Sequence, residues 1–180
     1  MADIKKEQKR DELHRAIWAI ADELRGSIDG WDFKSYVLGM MFYRYISENL
    51  TNYLNADEIE AGNEDFNYAD LSDEDAEMAR EDMVQTKGFF ILPSELFCNV
   101  RKNAAHDENL NMTLEAAFRH IEESAKGSES EDNFSGLFDD IDVNSNKLGA
   151  TVAKRNAKLV KLMDGVADMK LGNYKDNSID

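Results

Sequence analysis

The sequence predicts a mostly α fold: a compact multi-helix domain with at most a small β element. Three observations predict it. Apolar residues recur at three- and four-residue spacing in several separate segments, the periodicity of helices that bury one face. Proline occurs once in 180 residues, so long helices are not interrupted. The segment Trp31 to Leu50 (WDFKSYVLGMMFYRYISENL) places twelve large apolar or aromatic residues in twenty positions. With 42% hydrophobic and 32% charged residues, the chain can bury a core and has the composition of a soluble globular protein.

The first helix is read from Leu13, Ile17, Ile20, Ala21, Leu24 and Ile28, a stripe closing near Gly26. Asp29-Gly30 reads as a turn, and Asp32 as the N-cap of the next helix. In that helix Tyr36, Val37, Leu38, Met40, Met41, Phe42, Tyr43, Tyr45 and Ile46 surround the axis. Such a helix is normally enclosed by others, so Tyr36, Met40 and Tyr43 are expected in the core. Lys34, Ser35, Arg44, Ser47, Glu48 and Asn49 interrupt the run, which falls short of the roughly 18 apolar residues a membrane span requires.

Asn55 to Asp75 is acidic and polar and reads as an exposed loop. Ser72 with Asp75 resembles a capping box opening a short helix through Ala76, Ala79 and Met83, closed at Lys87-Gly88. Leu92 precedes Pro93 and is expected to be extended, with Pro93 in the first turn of a helix carrying Leu96, Phe97 and Val100. Leu114, Ala117, Phe118, Ile121 and Ala125 form the next stripe, stopped at Gly127. Phe134, Leu137, Phe138, Ile141 and Val143 mark a compact segment with room for a short strand. The last helix spans about Thr151 to Met169, with Val152, Leu159, Met163 and Val166 on one side. Lys154, Lys158 and Lys161 fall on the other, with Arg155 nearby.

Charge narrows the function classes. The net charge is −16, and residues 51–100 carry two Lys/Arg against thirteen Asp/Glu. Free nucleic acid is repelled by such a surface, because phosphate binding depends on cationic neutralisation. The cluster Lys154, Arg155, Lys158 and Lys161 is the one cationic face singled out, read first as a solvated helix face and second as a contact for phosphates or an acidic partner. The lone Cys98 excludes an intramolecular disulfide and fits a reducing, cytoplasmic setting; its apolar surroundings read as those of a buried thiol. The charged N-terminus shows no secretory signal.

Catalytic patterns are absent. Asp140 to Asn146 alternates oxygen ligands as a calcium loop does, but Ser145 and Thr151 stand where that loop needs glycine and glutamate, so a capped turn is the better reading. His14, His106 and His120 lack metal-ligand spacing, and His14 reads as packing on Trp18. No phosphate-cradling glycine pattern occurs. No catalytic, cofactor-binding or metal residue is assigned.

The stretch LRGSIDGWDFKSYVLGMMFYRYISE (Leu24 to Glu48) resembles the N-terminal helical domain of the modification (M) subunit of type I restriction-modification systems. The resemblance lies in L-R-G, the Phe33-Lys34 pair, and the apolar run ending Tyr45-Ile46-Ser47. FFILPSELF (Phe89 to Phe97) and LFDDIDVNSNKLG (Leu137 to Gly149), with its D-x-N-S-x-K-L-G pattern, are similar to two further family segments. The resemblance implies a parent enzyme that methylates N6 of adenine in DNA with S-adenosylmethionine. It also implies assembly with a specificity (S) subunit, a second M subunit and a restriction/motor subunit, and contact with DNA through the assembled complex. The family's catalytic domain needs an Asn/Asp-Pro-Pro-Tyr/Phe motif; Pro93 is followed by Ser94, so this chain cannot carry it. Residues 1–165 are therefore expected to form the N-terminal domain and 166–180 a linker toward a catalytic methyltransferase domain absent from this chain, with no cofactor held in the fragment. The competing readings are a free-standing acidic helical protein that binds basic proteins or mimics DNA, and an autonomous hydrolase. The first is disfavoured by acidic residues concentrated in 55–82 rather than spread at phosphate-like spacing, the second by the missing catalytic constellation.

Overall fold

The computed structural model describes residues 2–23 and 30–169, and among these no β-strand occurs. The helices are α1 (Ala2–Glu23), α2 (Gly30–Glu60), α3 (Asp73–Ala76), α4 (Arg80–Lys87), α5 (Phe97–Ala104), α6 (Leu110–Ser124), α7 (Glu131–Phe134) and α8 (Val152–Asp168). Tight 3-10 turns lie at Tyr68–Asp70, Glu77–Ala79 and Pro93–Glu95. The mostly α expectation is met.

α2 is the axis, packed against α5, α8 and the Tyr68–Asp70 turn. Tyr36, Met40 and Tyr43 are 3%, 0% and 0% exposed, so the segment is core, as expected. Val37, Ile46 and Leu50 are buried with them. Enclosure is incomplete on one side: Leu38 is exposed, and Met41, Phe42 and Tyr45 are half-buried. The Tyr43 ring stands edge-on to Phe97, Phe118 and Phe138 at centroid distances of 5.6, 5.2 and 6.5 Å. Phe118 and Phe138 stack at 4.3 Å. A buried phenol needs a hydrogen-bond partner, and here backbone carbonyls supply it. The hydroxyl of Tyr43 donates to Glu95, that of Tyr36 to Asp142 (2.5 Å), and that of Tyr68 to Ile91 (2.6 Å).

Several boundaries differ from the sequence reading. α2 begins at Gly30, so Asp32 is inside the helix rather than its N-cap. The same helix continues to Glu60 and takes up the first residues of the expected loop. Those residues are polar yet helix-compatible, and Asn55 holds that end by accepting from the amide of Tyr68 (2.8 Å). The Ser72 cap forms as expected, its hydroxyl accepting from the Asp75 amide. The helix it opens breaks at Ala76, passes through the Glu77–Ala79 turn and resumes as α4. Gly88 ends α4 with φ +87°, a left-handed conformation open to glycine, and its amide caps Met83 and Val84. Leu92 is extended as expected, but Pro93 opens a 3-10 turn, and an extended Leu96 separates it from α5.

The α6 stripe is buried throughout: Leu114, Ala117, Phe118, Ile121 and Ala125. Phe134, Phe138, Ile141 and Val143 are buried through successive turns, not a strand. Amides here bond locally or to a side chain, Phe134 to Ser130, Leu137 to Phe134, Ile141 to Phe138 and Phe138 to Glu122 Oε1, as turns do and a strand ladder does not. On α8, Leu159, Met163 and Val166 are buried as expected, joined by Leu162, whereas Val152 is 42% exposed at the helix's free start. The expected end of α1 near Gly26, with Leu24 and Ile28, lies outside the described residues.

Met40→Ala should destabilise the domain by about 2–4 kcal/mol, and Leu38→Ala by less than about 0.5 kcal/mol. Denaturant unfolding of the two variants measures the contrast.

Candidate functional site

The four residues of the expected cationic face differ in exposure and bonding. Lys154 and Lys161 are exposed; Arg155 and Lys158 are half-buried. Thr151 caps α8 by accepting from the Lys154 amide (3.2 Å), which sets the phase of the helix. Arg155 is engaged locally: its Nη1 donates to Asn146 Oδ1 (3.2 Å) and to the carbonyl of Gly149 (3.1 Å). Its Nε is buried with no hydrogen-bond partner among the described residues. Arg155 therefore clasps the preceding loop, and Lys154 and Lys161 are the members with free reach into solvent.

That loop is the D-x-N-S-x-K-L-G segment, and its residues interlock three helices. The carbonyl of Asp142 receives Tyr36, while the Asp142 side chain accepts from the amide of Asn144 (2.9 Å). Asn144 accepts from Asn111 Nδ2 of α6 (2.6 Å) and donates to Glu115 (3.1 Å). Asn156 of α8 accepts from the amide of Asn111 (3.1 Å) and donates to the Glu108 carbonyl (2.9 Å). Leu148 is buried. The capped-turn reading of this run holds, and no group of His, Cys, Asp and Glu among the described residues could hold a metal ion. Sequence reasoning passed over Asn111 and Asn156. The available signal was an asparagine inside a helix on its apolar side, where an unpartnered amide is costly.

The other two family segments are also built into the core. Ser47 is buried and its hydroxyl accepts from the Phe97 amide (3.1 Å), so the Tyr45-Ile46-Ser47 end of one segment meets the end of the other. Phe33 is buried and Lys34 exposed. Arg44, inside the first segment, reaches the end of α8: Nη1 donates to the carbonyls of Val166 (2.8 Å) and Met169 (2.5 Å), and Nε to Glu48 (2.7 Å). A guanidinium at a helix C-terminus satisfies orphan carbonyls and complements the dipole.

Titratable groups are spread apart. His120 Nδ1 lies 2.8 Å from Glu95, the one histidine with a carboxylate partner among the described residues. Burial pushes the Glu95 carboxyl up, against the opposing pull of His120. His14 and Trp18 are both exposed, which does not fit a packed ring pair. Cys98 is exposed too, a correction to the buried-thiol expectation: on α5 the inward positions are Phe97, Val100 and Ala104, and Cys98 falls outside that arc. Its partial shielding pushes the thiol above its ordinary value, which disfavours the nucleophilic thiolate. No described helix is long and apolar enough to cross a membrane.

What these residues build is a helical scaffold whose recurrent motifs serve packing and capping, with acidic residues outward. The HsdM N-terminal domain family matches residues 13–166, and the chain belongs to that family. A relative from Mycoplasma pneumoniae, the type I restriction enzyme MpnII methylase subunit, is 44% identical over 183 residues, covering 98% of this chain and 34% of that protein. A crystal structure of the type I restriction-modification system methyltransferase subunit from Streptococcus thermophilus aligns with a TM-score of 0.70 at 28% identity, over 92% of this chain and 35% of the other. The chain thus spans about a third of the length of these relatives. It is the N-terminal domain of a type I methylase subunit, and the free-standing acidic protein is not favoured.

Arg155→Ala should cost about 1.5–3 kcal/mol, as loss of charge-assisted hydrogen bonds does, whereas Lys154→Ala and Lys161→Ala should stay within about 0.5 kcal/mol. Thermal melts of the three variants separate the clasp from the free lysines.

Proposed function

We propose that this domain is the non-catalytic assembly and closure element of a DNA adenine-N6 methyltransferase subunit that uses S-adenosylmethionine through a separate catalytic domain. Residues 1–165 carry the helical domain and 166–180 lead toward the catalytic one. The observation that carries the reading is the family match over a chain about a third as long as its relatives, and the described parts of the three segments that carry the resemblance supply core residues such as Phe33, Ser47, Phe97 and Leu148. A single proline, followed by serine, leaves no place for the adenine-binding motif, which supports the non-catalytic role. The target base would be flipped into the catalytic domain's pocket.

The partners proposed are a specificity subunit, a second methylase subunit and a restriction/motor subunit, with DNA engaged by the complex in the cytoplasm. The acidic surface of residues 55–82 supports partner-facing duty over direct DNA binding, since only Arg80 offsets it and Arg80 is paired with Glu77. Phosphate contact by Lys154, Lys158 and Lys161, with Arg155 positioning the loop beneath, is the proposed supplementary role of α8.

Calorimetric titration of this chain should show binding of neither S-adenosylmethionine nor duplex DNA; micromolar cofactor affinity would refute the non-catalytic assignment. A pull-down with the specificity subunit and the remainder of a methylase subunit should retain the domain in the complex.

A further inference from the structure

The segment from Asp73 to Lys87 turns one side to the core and leaves the other bare. Ala76 and Met83 are buried, and Ala79, Arg80 and Val84 half-buried. Glu74, Glu77, Met78, Glu81, Asp82 and Gln85 are exposed. Met78, in the Glu77–Ala79 turn between α3 and α4, is 86% exposed, the most exposed large apolar side chain among the described residues. A lone apolar residue on a surface is ordinary. Met78, however, borders a shallow hollow of about 460 Å³ shared with Arg80, Val84 and Gln85, whose walls are mostly apolar and come from this segment alone.

The charge around the hollow decides what can enter it. Arg80 is the only basic residue between 55 and 82, and it is engaged: it pairs with Glu77 (Nη2 to Oε2, 3.0 Å), and its guanidinium lies over the Phe90 ring. Glu74, one turn before Met78, and Glu81 and Asp82, one turn after, make no hydrogen bond or ion pair among the described residues. Uncompensated carboxylates repel the phosphates of nucleic acid and of anionic lipid alike. A second copy of the chain fits no better. Its basic helix α8 has Leu159, Leu162, Met163 and Val166 buried, and residues 3–12 of α1 mix cations with carboxylates. The complement is a helix with cations beside a free apolar anchor, the groove-binding mode of amphipathic helices. Methionine suits it, because its unbranched, polarizable side chain adapts to the anchor.

We propose that Met78 and its hollow dock a lysine- and arginine-rich amphipathic helix of a partner protein. This rests on the reading that the acidic surface faces partners, and adds the chemistry of what it meets. The partner's apolar anchor packs against Met78 and Val84. Its cations, one turn to either side, meet Glu74 at one end and Glu81 and Asp82 at the other.

The first test titrates a synthetic amphipathic helix of leucine and lysine into the chain and follows the Met78 methyl and the amides of residues 74–85 by NMR. Saturable shifts should centre there. M78Q should weaken binding about tenfold, and E74Q/E81Q/D82Q should remove most of its salt dependence. Both variants should keep the wild-type melting temperature, since all four side chains are exposed. Equal affinity for wild type and M78Q would overturn the proposal, as would shifts centred on residues 57–65 or equal binding of a lysine-only chain. The second test places photo-methionine at position 78 and reconstitutes the chain with the specificity subunit and the remainder of a methylase subunit. Irradiation should join position 78 to a basic amphipathic helix of another chain. Retention in the complex without that cross-link, or cross-links to DNA or to a second copy, would overturn the proposal alone. A wild-type chain that does not join the complex would instead defeat the partner-facing reading, and the occupant with it.

Discussion

The architecture depends on one constraint: a helix apolar around most of its circumference must be surrounded, and its tyrosines must not lose hydrogen bonds in the process. α2 meets the first requirement by drawing α5, α6, α8 and the Phe134–Val143 turns around Tyr36, Met40 and Tyr43. It meets the second by presenting phenol hydroxyls to carbonyls of non-helical backbone, at Glu95 and Asp142. Tyr68 does the same from the adjoining turn toward Ile91. Each bond settles a buried donor and a loop acceptor at once, and an unmet buried polar group costs about 1–3 kcal/mol. The connecting segments are consequently tied to the core at Glu95, Asp142 and Ile91, which helps a domain with so many short elements keep a single core.

Polar residues inside the core extend the same logic. Asn111, Asn144 and Asn156 join α6, the D-x-N-S-x-K-L-G loop and α8 through side-chain and backbone amide bonds, with Asn111 Oδ1 left buried without a partner among the described residues. Ser47 does so between α2 and α5. Within the described residues, the three segments that carry the resemblance thus make packing and capping contacts. Surface charge is unevenly distributed: strongly negative over the middle of the chain, with cations placed on the outer parts of α1 and α8.

Much of this was readable in the residues. Helical periodicity located α6 and α8, the Ser72 box and the Leu92–Pro93 pair gave local geometry, and the apolar girth of α2 gave the centre. The misreadings share physical causes. Residues 56–60 are acidic and polar, and polarity was taken for loop although Asp, Glu, Ile and Ala continue a helix readily when its start is anchored. Cys98 has apolar neighbours in sequence, but helix phase rather than neighbourhood decides burial. Val152 lies on the correct face of α8 yet has nothing above it at the helix start. The roles of Arg44 and of the asparagine network depend on partners more than thirty residues away in sequence, which no local pattern reveals.

Arg44's grip on Val166 and Met169 also bears on mechanics. A pull applied to the polypeptide beyond α8 does not peel the last turn outward from a frayed end. It is carried through two hydrogen bonds into the middle of α2, where Tyr36, Met40 and Tyr43 root that helix in the core. The load thus enters the domain beside Tyr43, a fully buried residue of α2.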